Sequence, residues 1–198
     1  MRQPLQHRSS ASAEAMLGAT LALLQDGGLG AVTVAAVAQR AGTSNGALYH
    51  RFGDRQGLLR AAQERALDAI EAETAAAFVA ADAEPDDAVA LRLLAGAALR
   101  IFTDHRPALR AFLVEAQGDT VLEQRSQVSV HRLATTVTGW LRSRAGASQE
   151  QAEASWRIIY AIAVSQSLFD DAQVSPAPLG TEALGDALAA AVGAIVRG

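Results

Sequence analysis

The stretch Thr33 to Arg55, TVAAVAQRAGTSNGALYHRFGDR, constrains the fold more than any other part of the chain. Thr33 is a natural N-cap, and Val34, Val37, Ala38 and Ala41 recur at helical spacing, so a short helix with one apolar stripe is expected over 34–41. Gly42 supplies a permissive backbone for a sharp turn. Ser44 then caps a second helix, Asn45 to about Phe52, with Leu48 and Phe52 facing inward. A helix of that length is unstable alone and must be held by packing, which leaves its other face to solvent or a partner. A small residue at the helix crossing (Ala38), a glycine four positions later (Gly42) and an apolar anchor six beyond (Leu48) make the spacing of a helix-turn-helix. On spacing alone a generic helical hairpin remains open, although a hairpin has no need for polar groups along an exposed second helix.

The charge distribution bears on that choice. The chain of 198 residues has a net charge of −4, which argues against coating nucleic acid by bulk charge. Residues 1–60, however, carry six arginines against three acids, and residues 61–198 carry 11 against 18, so the basic footprint is N-terminal. Cysteine is absent, excluding disulfides, thiolate metal sites and cysteine nucleophiles. Half the residues are hydrophobic and only 5% aromatic, with heavy use of alanine, a composition that favours helix. The N-terminus lacks the apolar core of a signal peptide and no run of 18 uncharged apolar residues occurs. A cytoplasmic protein with no membrane partner is expected.

Taken in order, residues 1–10 are polar, include Pro4, and are expected to form a flexible arm bearing Arg2, His7 and Arg8. A helix follows from about Ala11 to Gln25, with Met16, Leu17, Thr20, Leu21 and Leu24 on one face, stopped by Asp26-Gly27-Gly28. Asp54 caps a longer helix to about Ala81, broken by Glu84-Pro85-Asp86-Asp87. Further helices are expected over about 85–105, 107–117 and 120–144. Ser148 with Gln151 forms a capping box, and the helix it opens is apolar nearly all round over 156–169, requiring burial on more than one side. A last helix opens at Thr181, with Leu184, Leu188, Val192 and Ile195 as one stripe and Gly185, Ala189 and Gly193 as a smooth second face. The reading is all-α, with about nine helices and no convincing strand.

The stretch GLGAVTVAAVAQRAGTSNGALYHRFGDRQGLL resembles the N-terminal domain of the TetR family of transcriptional regulators. The resemblance rests on Gly28, Thr33, Ala41-Gly42, Gly46-Ala47-Leu48-Tyr49, Phe52 and Arg55, and covers roughly residues 14–60. Two departures are Leu29, where an aromatic is common, and Arg55, where lysine is usual. The organisation implied is the N-terminal arm (1–10), a three-helix DNA-binding domain (11–56), and a larger ligand-binding and dimerisation domain (57–198).

Residue roles follow from the resemblance. Thr33, Ser44 and Tyr49 would bond phosphate oxygens, with helix capping as the alternative role of the first two, and Arg51 and Arg55 would add charge at the DNA backbone; Thr43 is a further DNA-binding candidate. Asn45, Ala47 and His50 are the candidates for base edges, and Gly46 permits close approach. The partner implied is a double-stranded, pseudo-palindromic operator bound by a homodimer through the last two helices, about 148–170 and 181–196, whose other reading is ordinary core. A pocket for an unknown small-molecule effector is implied among the middle helices, with Phe102, Phe112, Leu113, Gln117, His131, Thr135, Trp140, Trp156, Tyr160 and Ser165 as its candidate lining. Ligand-responsive repression would then work through a shift between two placements of the DNA-binding domains. No zincin, Walker or nucleophile-elbow motif occurs and the four histidines are dispersed, so neither an enzyme nor a cofactor is expected. A helical scaffold or ligand-binding protein that does not contact DNA is the remaining rival.

Overall fold

The computed structural model describes residues 3–198, with side chains from residue 11 onward, and the described residues form helices joined by turns without any strand. The helices are α1 (Gln3–Ala31), α2 (Val34–Arg40), α3 (Asn45–Phe52), α4 (Arg55–Ala83), α5 (Asp87–Asp104), α6 (Arg106–Arg110), α7 (Thr120–Ala145), α8 (Gln149–Leu168), α9 (Asp171–Val174) and α10 (Thr181–Arg197). A π-helical turn, Ala111–Glu115, continues α6. The arm expected over residues 1–10 falls partly on residues 1 and 2, outside the described residues. Its remainder coincides with the first turns of α1, where the side chains of His7 and Arg8 are likewise outside them.

The chain divides into two compact units. One comprises the residues up to Asp68 together with Pro107–Gln124; the other comprises Ala69–Arg106 and Arg125–Gly198. In the first unit α1 breaks at Gly27 and Gly28, and Gly28 takes φ of 64°, a conformation glycine adopts at little cost. Met16, Ala19 and Leu24 of α1 meet Val32, Val37, Leu48, Leu58 and Leu59, all at most 5% exposed. Full burial of each large aliphatic chain contributes about 1.5–3 kcal/mol, which is why α2 and α3 persist despite their length. Phe112 and Ala116 complete this core. The helix expected over 107–117 is instead α6 followed by the π turn, where Ala116 N–H donates to Ala111 O at 2.9 Å. One extra residue per turn is not detectable as a change in hydrophobic period, so the sequence does not announce it.

In the second unit α5 is flanked by α8 and α10, around Leu91, Ala95, Leu99, Trp140, Leu141, Leu188 and Val192. Gly96 of α5 and Gly185 of α10 meet where the two helices cross, with room for a methyl group but little more. A Cβ on Gly185 would stand 3.4 Å from Gly96 Cα and 3.8 Å from Leu99 Cδ1. Polar pairing fixes the neighbouring turns: Trp140 Nε1 donates to Asp82 Oδ1 at 2.7 Å, and Arg144 Nε donates to Asp87 Oδ1 at 2.7 Å. The Ser148–Gln151 box is made, with Gln151 N–H donating to Ser148 Oγ (3.2 Å) and Ser148 N–H to Gln151 Oε1 (2.8 Å). The short α9 was not expected. Asp170 N–H donates to Gln173 Oε1 at 2.9 Å, a local cap on a helix too short to carry a period.

Candidate nucleic-acid interface and inner cavity

The interface is built on α2 and α3. Thr33 Oγ1 accepts from Ala36 N–H at 3.1 Å and Ser44 Oγ from Ala47 N–H at 3.2 Å, so each helix starts on a hydroxyl cap. Between them Gly42 sits at φ of 64°, and Thr43 N–H closes the turn on Ala38 O at 2.9 Å. Leu48, fully buried, anchors α3, while Ala47 and Phe52 are half-buried beside it. Since residues one turn apart share a face, this anchoring turns Asn45, Gly46, Tyr49 and His50 outward together. All four are exposed, and the Tyr49 ring, at 51%, lies on the surface.

Thr33, Ser44, Arg51 and Arg55 are also exposed, and Thr43 is half-buried. The helix α3 has no acidic residue in its first turn and carries His50 and Arg51 in its last. Arg40, at the end of α2, pairs with Asp26. Arg55 has a role the sequence did not reveal. Its Nε donates to Val32 O at 2.6 Å and its Nη2 to Leu29 O at 2.8 Å, tying the start of α4 to the α1–α2 connection. On the other side of that connection, Glu115 Oε2 accepts from Leu29 N–H at 2.8 Å and lies where a side chain on Gly28 would stand.

This arrangement has known counterparts. Residues 16–62 match the family model for bacterial regulatory proteins of the tetR family. Over that stretch the chain is similar to the TetR family. It is 33% identical over 121 residues to the HTH-type transcriptional regulator BetI of Paraburkholderia phymatum, covering 60% of this chain and 61% of that protein. BetI of Burkholderia ambifaria matches over the same span at 33%. The chain thus spans about three fifths of the length of the curated relatives it matches. Among solved structures, a transcriptional regulator from Rhodococcus sp. Rha1 superposes with a TM-score of 0.72 at 23% identity, over 93% of this chain and 96% of that one. A TetR-family regulator from Mesorhizobium loti gives 0.71 at 15% identity, over 95% and 98%. At such identities the likeness is one of fold alone, and it covers the helices beyond the matched N-terminal stretch.

The second unit encloses a cavity, about 740 Å³ of empty space including its opening. Residues of α4, α5, α7, α8 and α10 surround it. Four of the expected lining residues meet there: Phe102, Trp140, Trp156 and Tyr160. Trp156 and Tyr160 lie 5.1 Å apart between ring centroids, and Phe102 stands edge-on to Tyr160 at 6.2 Å. The other six lie elsewhere. Phe112 is in the core of the first unit, with Leu113 half-buried and Gln117 exposed in the same segment. His131 and Thr135 are exposed, Thr135 Oγ1 donating to His131 O at 3.0 Å, and Ser165 is half-buried on α8 away from the cavity.

Helix phase explains the difference on α7, where Leu133, Val137, Trp140 and Leu141 line the cavity and the polar positions between them point away. Thr74, Ala77 and Phe78 of α4 were missed because that helix is alanine-rich on several sides and shows no single apolar stripe. Among the described residues no cluster of metal-binding side chains occurs, and no helix is long and apolar enough to cross a membrane.

Proposed function

We propose that the chain is a ligand-responsive transcriptional repressor that binds a pseudo-palindromic DNA operator as a homodimer in the cytoplasm. The observation that carries this reading is the outward face of α3, where Asn45, Gly46, Tyr49 and His50 are exposed together above a fully buried Leu48. In the major groove, Asn45 pairs bidentately with adenine, Ala47 meets a thymine methyl and His50 bonds a base edge. Thr33, Thr43, Ser44 and Tyr49 hold phosphates through their hydroxyls, and Arg51 and Arg55 add charge. Residues 11–56 read DNA in this scheme, residues 1–10 are an arm, and residues 57–198 carry the ligand and dimer surfaces.

One α3 makes few base contacts, so two are needed, with half-sites about one helical turn, roughly 34 Å, or a multiple apart. The surfaces left uncovered on the last long helices suit such pairing. Ala154, Ile158 and Ala161 are exposed along α8, as are Ala183, Ala187, Ala190, Ala191 and Ala194 along α10. A ligand in the cavity releases DNA only to the extent that it prefers the placement that does not fit the operator.

The test is duplex binding by fluorescence anisotropy, using DNA from beside the protein's own gene. Tyr49→Ala is expected to weaken binding to all sequences, and Asn45→Ala to change base preference by about 1–3 kcal/mol. A triple Asn45→Ala, Tyr49→Ala, His50→Ala variant that binds as the wild type does would remove this face from the interface. Sedimentation at micromolar concentration tests the dimer, and a monomer there would refute it.

A further inference from the structure

The cavity wall says what kind of molecule fits it. None of its lining residues carries a charge. The hydrogen-bonding groups its side chains offer are the hydroxyls of Thr74 and Tyr160 and the indole N–H groups of Trp140 and Trp156, and the first of those indoles is already given to Asp82 at 2.7 Å. That bond also engages the carboxylate, so it is no open counter-charge for a cation. The remaining wall is aliphatic and aromatic carbon. We propose that this cavity takes a neutral, predominantly apolar organic molecule, carrying at most one hydroxyl or carbonyl that the Tyr160 phenol bonds.

The energetics disfavour the charged alternatives. An anion or ammonium brought inside would lose its hydration shell and meet no ion; cation–π attraction to the aromatic rings returns only part of that cost to an ammonium and nothing to an anion. An apolar guest, by contrast, replaces weakly bound water or empty space and gains contact on every side. Burial pushes the Tyr160 pKa above its ordinary 10.0, so the phenol remains neutral across physiological pH. Its hydroxyl has no hydrogen-bond partner among the described residues, which leaves it available to a guest.

This inference rests on the ligand-responsive reading above, and its test is chosen to be separable from it. The chain's two tryptophans, Trp140 and Trp156, both line the cavity, so intrinsic fluorescence of the full-length protein reports occupancy directly. Three probes of one chain length are titrated: 1-octanol, octanoate and octyltrimethylammonium. Octanol is expected to give a saturable change with a Kd at least about tenfold below that of either ion. Tyr160→Phe is expected to weaken octanol by about three- to tenfold while leaving 1-chlorooctane, which has no hydroxyl, unchanged. An unchanged melting curve for that variant shows that the fold is retained. Equal or tighter binding of either ion overturns the ligand class, and no saturable response to any probe overturns the cavity as a ligand site. Octanol binding unaffected by Tyr160→Phe overturns the role of the phenol. Duplex binding with no response to the octyl series sinks this inference alone; response to octanol without duplex binding sinks the regulatory reading alone.

Discussion

Replacing Arg55 by lysine and by alanine separates two jobs that this side chain is placed to do. Its guanidinium bonds two carbonyls, Val32 O at 2.6 Å and Leu29 O at 2.8 Å, in the connection that leads into α2. Lysine, the usual residue at this place in the family resemblance, keeps the charge but offers a single ammonium point where the planar fork spans both acceptors. One charge-assisted bond lost at an exposed side chain costs about 1 kcal/mol, below the range for buried cases. With an m-value of about 1–2 kcal/mol/M in urea, the unfolding midpoint of Arg55→Lys should fall by roughly 0.5–1 M. Arg55→Ala loses both bonds, about 2 kcal/mol, and should fall roughly twice as far.

DNA binding resolves the second job. If the exposed side of the guanidinium also neutralises a phosphate, alanine should flatten the dependence of log K on log salt by about one unit per half-site, and lysine should leave it unchanged. The measurements are urea unfolding followed by circular dichroism and duplex anisotropy at several salt concentrations. A lysine variant as stable as the wild type would refute the clamp. An alanine variant with an unaltered salt slope would show that the charge does not reach the duplex.

Three further outcomes follow from the packing. Gly18 is exposed in α1 with nothing within 4 Å of an added Cβ, so Gly18→Ala should stabilise the protein by about 0.5–1 kcal/mol in urea unfolding. Gly185→Ala should be tolerated, since its methyl would meet Gly96 Cα at 3.4 Å, whereas Gly185→Leu should cost about 1–3 kcal/mol by forcing α10 off α5; equal stability of the two variants would contradict the crossing. Asp86 caps α5, and the N–H groups of Val89 and then Ala88 hold its carboxylate below its ordinary pKa of 3.8. Because the folded value is the lower one, this contribution is complete above about pH 4 and is lost as pH falls through the folded value. Asp86→Asn, which can still cap, should therefore lose less stability between pH 7 and pH 3.5 than the wild type does.

The caps and breaks were legible because they depend on neighbours in sequence. Thr33, Ser44, Ser148 and the Asp26-Gly27-Gly28 break act within three or four residues, and each stands where local reasoning put it. The helix-turn-helix spacing was legible for the same reason, since Ala38, Gly42 and Leu48 lie within one short stretch. The ligand candidates were not. Phe112 and Phe102 have the same residue type, yet one fills the core of the first unit and the other lines the cavity of the second, and only the path of the chain between 104 and 125 separates them.

By itself, then, the sequence determined the all-helical class, the position of α3 and the face it turns outward, because capping, turn geometry and a 3.6-residue period are local properties. Tertiary structure alone decided that Arg55 would bond the carbonyls of Leu29 and Val32, that Glu115 would reach Leu29 across 86 positions, and that five helices would close an uncharged cavity. Those outcomes depend on which helix faces meet. That is set by the packing of the whole core, and no window of neighbouring residues contains it.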